Sequence, residues 1–413
     1  MGCGRVRIVL PHPISFVRQG SGSAATCTGW GDDLGHTAES GTEPPDVPAQ
    51  SHQPIELCRR DESRTMPDIR DGRPMCLYLD MNIWVDMARG IRDRSPKWEE
   101  VVDGLRAGVA DGTLVVPLSA NHYLELWHRS DQKSREGVGA LMREISGYMS
   151  LKPIQMIRQL EVDASVERMI GYEGRVIPKG EIVGYGVAHA FGSKFGRLRF
   201  VESLETPDSP EGSATSAPEQ LCQFNLSGPR WEWLQLVGTQ EILESEGVDR
   251  SPEHLHGDRY VDQELALRVE LERDPSRRLH LADIIVTQEI IDLTDQIHRS
   301  CSARNVDPLG LFLEHSEGVD PPEAMRRFVS GLPSVDVLTT LRTWKHRDLT
   351  HPWEQHDKVD LMALTVAVPY CDVVVTERRW SHLVNASGLA SRNNTFVGHG
   401  VAALQTVLRG QND

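Results

Sequence analysis

Met75-Cys76-Leu77-Tyr78-Leu79-Asp80-Met81-Asn82 is an apolar run that stops on an acid. Five such residues in a row suit a buried strand. Ile83, Trp84 and Met87 then resume at helical spacing. Residues 98–109 read as an amphipathic helix, with Val101, Val102, Leu105 and Val109 along one side. Asp111-Gly112 is a turn, 114–118 a second strand, and Ser119 a natural N-cap for the helix that carries Glu125. Strand, helix, helix, strand, helix is the rhythm of an α/β sheet. It returns near the other end of the chain: 359–368 is helical, 373–376 (Val-Val-Val-Thr) a strand, 381–389 a helix and 395–397 a short last strand.

Between these halves the periodicity is mostly helical, clearest at 138–148, 154–170, 262–271 and 281–300. The expected organisation is a first half of the core at 73–136, a mainly helical insertion at 137–345 and a second half at 346–413. A Pro/Ser/acid stretch at 202–219 (Thr206-Pro207-Asp208-Ser209-Pro210) reads as a surface loop within the insertion. Residues 1–72 are rich in Gly, Ser, Thr, Pro and acids and lack a sustained period. They read as a disordered tail or a mis-assigned start, with Met66 and Met75 as alternative starts.

The 413 residues allow one large domain or two ordinary ones. No apolar run is long enough to span a bilayer. Pro11 and Pro13 break the only candidate signal segment. Gly2-Cys3 invites a lipidation reading, but Val6 stands where a myristoylation motif wants Ser or Thr. The seven cysteines (3, 27, 58, 76, 222, 301, 371) contain no C-x-x-C pair and are odd in number. This argues against a disulfide framework or zinc knuckle and fits a cytoplasmic location. Cys76 and Cys371 lie in apolar runs and read as core residues. A net charge of −16 disfavours nucleic-acid binding through the bulk field but leaves room for a local basic groove.

Asp80 and Glu377 each follow an apolar strand directly, and a parallel sheet gathers such positions at one edge. Glu125 sits early in the helix after the second strand. Asp357 and Asp360 are three apart, on one face of a helix. Oxygen-only clusters of this kind suit hard divalent cations, which lower the pKa of a water and shield a phosphodiester under attack. Without a cation such acids repel one another.

At these residues the chain resembles the PIN-domain nuclease superfamily. The matching pieces are Asp80-x-Asn82 after an apolar strand, Ser119 with Glu125 six residues on, Asp360 opening an apolar helix, and Thr376 sixteen residues later. The resemblance covers roughly 75–130 and 350–400. It implies an α/β fold, three-layer α/β/α with a central parallel sheet, split here by the insertion. It also implies a Mg²⁺- or Mn²⁺-dependent endoribonuclease acting on RNA, with Asp80, Glu125, Asp360 and Glu377 as catalytic metal ligands and Asn82 and Thr376 in support. Asp357 is a further ligand or a helix-start acid. The family pattern places an acid two residues after the Thr. Arg378 stands there, and Glu377 comes one residue early. A toxin or defence nuclease would bring an antitoxin or regulatory protein as partner, and a homodimer is the oligomer expected.

Plainer roles stand beside these. Asp80 and Asn82 suit the cap of the following helix, and Asp357 and Asp360 suit a first helical turn. Glu125 alone would be an exposed helix acid, and Asp372 a turn residue. Arg378-Arg379 is the best local basic patch for an RNA backbone, or a solvated pair. His346, His351 and His356 recur every five residues, which does not align on a helix, and His254-Leu255-His256 has no cysteine partner. Gly184-Tyr185-Gly186 reads as a turn. Two other functions remain open: a catalytically weak PIN-like module binding nucleic acid or protein, and a haloacid-dehalogenase-type phosphatase. The second wants an Asp where Asn82 stands.

Overall fold

The computed structural model describes residues 7–9, 72–193, 199–201, 228–238, 251–313, 318–348 and 351–410. The chain is mostly helical around a small parallel sheet. Strand β1 (Met75–Leu79) leads into α1 (Met81–Arg92) and α2 (Pro96–Ala110). Strand β2 (Leu114–Val115) is followed by α3 (Ala120–His128) and α4 (Gln132–Ser146), and α5 (Ile154–Met169) opens the long intervening region. That region ends with α6 (Pro333–Arg347). The second half then runs α7 (Gln355–Tyr370), β3 (Val373–Thr376), α8 (Arg378–Ala386), β4 (Phe396–His399) and α9 (Gly400–Arg409).

The sheet order is β2-β1-β3-β4, all parallel. Leu77, Tyr78 and Leu79 pair with Val373, Val374 and Val375. The central strands are buried along their whole length, which is why they read as continuous apolar runs rather than alternating ones. Successive side chains point to opposite faces. Leu77, Leu79, Val373 and Val375 join Trp84 of α1, Val102 of α2, Met142 of α4 and Leu404 of α9 in one apolar cluster. Tyr78 and Val374 join Leu341 of α6, Leu364 of α7 and Val384 of α8 in another. Helices therefore cover both faces.

The core runs past the expected boundary at 136. Val138, Leu141 and Ile145 of α4 belong to the first cluster. Leu118 bridges Ser150 in parallel, with the Leu118 N–H donating to Met149 O at 2.8 Å and the Leu151 N–H to Leu118 O at 2.7 Å. Met149–Leu151 pairs in turn with Val183–Tyr185, antiparallel, so the stretch around Gly184, expected as a turn, is a strand. The single helix expected at 281–300 is two, Leu281–Asp292 and Thr294–Ala303. Thr294 Oγ1 donates back to Ile290 O and Ile291 O, a local bond that bends helices.

Val162, Val166, Leu293, Ile297 and Phe328 form a separate core within the intervening helices. Most of the tail expected at 1–72, and the acidic loop at 202–219, lie outside the described residues. Arg7–Val9 is an exception: it is a strand antiparallel to Arg199–Val201. Among the described residues, no helix is long and apolar enough to cross a membrane.

Candidate functional site

The chain leaves β1 for β2 on one side and later returns to β3 on the other. A parallel sheet opens a crevice at the carboxyl ends of its strands where the winding reverses in this way. Asp80 and Glu377 stand there, one residue beyond β1 and one beyond β3, and the Asp80 N–H donates to Val375 O at 2.9 Å.

Asp80 is buried and caps α1. One carboxylate oxygen accepts from the Met81 N–H at 2.8 Å and the other from Thr376 Oγ1 at 2.7 Å. Burial raises its pKa above the ordinary value against these hydrogen bonds. Asn82, in the first turn of α1, donates from Nδ2 to Glu377 Oε1. Glu125, on the second turn of α3, is held well above the usual carboxylate range by burial first, then by the charges of Asp80, Asp360 and Glu377. Asp360, on α7, accepts from Trp380 Nε1 at 2.7 Å. Burial and the charges of Asp80 and Glu377 nevertheless push it up to about 8. Glu377 lies at the exposed rim. Partial desolvation and Asp80 raise its pKa, while Arg379 and His356 act the other way.

Every pair among Asp80, Glu125, Asp360 and Glu377 thus feels its partner's charge. Among the described residues none of the four has an ion pair with a Lys, Arg or His. The donors are all oxygen, as hard divalent ions require. Among the described residues, however, no three acidic, histidine or cysteine side chains are gathered as a finished metal cage. Mg²⁺, which keeps several waters and takes one or two carboxylates, does not need a closed cage.

Asp357 is taken out of the expected ligand set. It is buried, its carboxylate lies 2.8 Å from Lys345 Nζ, and it accepts from the Glu354 N–H in the capping box of α7. Its oxygens are committed to that ammonium and to the helix cap, although its charge still helps to raise the pKa of Asp360 and Glu377. The helix-start role weighed for it is the one it fills. Asp372 ties down the far end of the sheet, with both oxygens on Arg73 at 2.7 Å and one on the Cys76 N–H at 2.8 Å. Arg378 is exposed. Arg379 is half-buried, with Nη1 3.6 Å from Asp357 Oδ1.

Sequence reasoning missed three residues. Trp380 holds Asp360 from twenty positions away, and no local signal announces it. Lys345 is buried on α6 beside other buried polar residues, Arg342 and His346 among them, so the sequence does not single it out. His122 is buried, stacks on Tyr78 at 5.2 Å and accepts the Ser119 N–H on Nδ1 at 2.9 Å. Burial depresses its pKa to about 3, so it is a neutral core residue. The other histidines do not converge: His346 meets Glu264 and His351 meets Asp348, each at 2.7 Å. The side chains of His254 and His256 lie outside the described residues.

Comparisons of the chain with protein-family models, with curated proteins and with solved structures find no match.

Proposed function

We propose that this chain is a Mg²⁺- or Mn²⁺-dependent endoribonuclease of PIN type, built as a three-layer α/β/α core with a large helical insertion. The observation that carries the reading is the position of Asp80 and Glu377, one residue beyond adjacent parallel strands at the switch point of the sheet, with Glu125 and Asp360 near enough to feel their charges and, among the described residues, none of the four in an ion pair. Structural acids are ordinarily paired or solvated. Acids forced together are characteristic of functional sites.

Asp80, Glu125, Asp360 and Glu377 would hold the cation. When bound, it would offset their repulsion, activate a water and shield the phosphodiester. Thr376 and the Met81 N–H fix both oxygens of Asp80, Trp380 fixes Asp360, and Asn82 restrains Glu377. These contacts restrain Asp80, Asp360 and Glu377, and holding ligands still is the protein's share of such chemistry.

A second reading, a PIN-like module that binds RNA or protein without cutting, draws on the lack of a finished cage and on Glu377 standing one residue early. One experiment separates the two. Single-stranded and structured RNA are incubated with the protein with and without Mg²⁺ or Mn²⁺, beside Asp80→Asn and Asp360→Asn. Metal-dependent cleavage lost in both variants is expected. Cleavage that persists in them would sink the mechanism. RNA retention without cleavage, and without Mn²⁺ binding by calorimetry, would establish the module.

A further inference from the structure

Arg378 and Arg379 open α8 immediately after Glu377 and look alike in sequence, yet their surroundings differ. Arg378 is exposed to water. Arg379 lies back against the Trp380 ring, with its guanidinium carbon 5.6 Å from the ring centroid. Its Nη1 is 3.6 Å from Asp357 Oδ1, too long for a hydrogen bond. Asp357 is committed instead to Lys345 and to the Glu354 N–H.

Nε and Nη2 of Arg379 are both enclosed, and neither has a hydrogen-bond partner among the described residues. These two nitrogens form the side-on edge of the guanidinium, the fork that meets two oxygens of a phosphate or carboxylate at once. Enclosed donors left empty are costly and rare in folded proteins. The nearest carboxylates do not fill the fork: Asp360 is taken by Trp380, the next residue, and Glu377 by Asn82.

We propose that Arg379, and not Arg378, is the phosphate-binding residue of the site, its half-buried side chain turning outward on RNA binding so that Nε and Nη2 exchange enclosure for the non-bridging oxygens of the scissile phosphodiester. This rests on the nuclease reading above. Charge grows on those oxygens during attack, and a positioned donor there acts mainly on turnover. Arg378, in open water, adds only screened attraction to the backbone.

The test uses the full-length protein with labelled single-stranded RNA and Mg²⁺. Arg379→Ala is expected to lower kcat about 100-fold with little change in KM. Added methylguanidine is expected to restore part of that loss, which a merely structural role would not allow. Arg379→Lys keeps the charge beside Asp357, and so guards against misfolding, but lacks the fork and should recover little. Arg378→Ala should raise KM and flatten the salt dependence of binding, measured by anisotropy in the Asp80→Asn background. Full kcat in Arg379→Lys, or Arg379→Ala behaving like Arg378→Ala, overturns the assignment while leaving the nuclease reading intact. RNA neither bound nor cleaved by the wild type overturns both.

Discussion

In protein stripped of divalent ions, Asp360→Asn is expected to stabilise the fold, and increasingly so as the pH rises from about 4 to about 8. Asp360 sits among Asp80, Glu125 and Glu377, and its pKa moves from 3.8 to about 8. A carboxyl raised in this way binds its proton more tightly in the folded chain than in the unfolded one. Its contribution to stability is therefore full below the unfolded value near 3.8 and is lost as the pH climbs through the folded value near 8. At about 1.4 kcal/mol for each pKa unit, the displacement has a ceiling of about 6 kcal/mol. Water reaches this partly exposed carboxylate and screens it, so a gain of roughly 2 kcal/mol at pH 8 is expected. Asparagine keeps an oxygen for the Trp380 Nε1 donor, so the swap removes charge without opening a hydrogen bond.

The assay is urea denaturation of wild type and variant in EDTA across that pH range, read as the difference between them. Taking the difference cancels the titrating groups remote from Asp360; Glu125, which feels the Asp360 charge, shifts with it and adds to the same signal. Mn²⁺ added at pH 8 should then stabilise the wild type by mass action, and the variant much less. A wild-type-minus-variant difference that stays flat across the range, or a variant less stable at pH 8, would refute the idea that these acids repel across a shared space.

Three further outcomes are expected. Asp357→Asn strands the buried Lys345 ammonium and should cost about 3 kcal/mol in urea denaturation, with Lys345→Met in the same chain recovering part of it. Thr376→Val removes the donor to Asp80 Oδ2 and should weaken Mn²⁺ binding roughly tenfold by calorimetry with the fold intact. Val374→Ala, wholly buried in the middle of β3, should cost about 2 kcal/mol by thermal melting.

The two central strands were legible because burial on both faces demands an unbroken apolar run, and their ends fall where the sequence turns acidic. Helix starts were harder to read. The first turn of α7 is Gln355-His356-Asp357-Lys358, polar enough to pass for loop, so the expected helix began at 359. Only the paired contacts of Glu354 and Asp357 reveal the cap. Met149-Ser150-Leu151 is too short to register as a strand, so the sheet's continuation beyond Leu118 was assigned to the insertion. The acids at strand ends stood out by position alone. The sequence leaves Asp357 open between ligand and helix-start acid because its partner, Lys345, comes from a different helix.

That partner bears on what the intervening helices do. Lys345 of α6 neutralises Asp357 in the first turn of α7, and Asp360 lies one turn further along the same helix. At the other end of α7, Tyr370 donates to Glu161 of α5 at 2.5 Å, and Glu161 also accepts from the Ser334 N–H and hydroxyl of α6. Helix α6 is itself held by Arg342 to Glu264 and Glu289, both at 2.8 Å, and by His346 to Glu264 at 2.7 Å. Buried ion pairs add little net stability, but they tolerate few alternative arrangements. Both ends of the helix that carries Asp360 are thus anchored by residues of the intervening region. A carboxylate that must stay among three others needs such anchoring, because repulsion would otherwise push it aside.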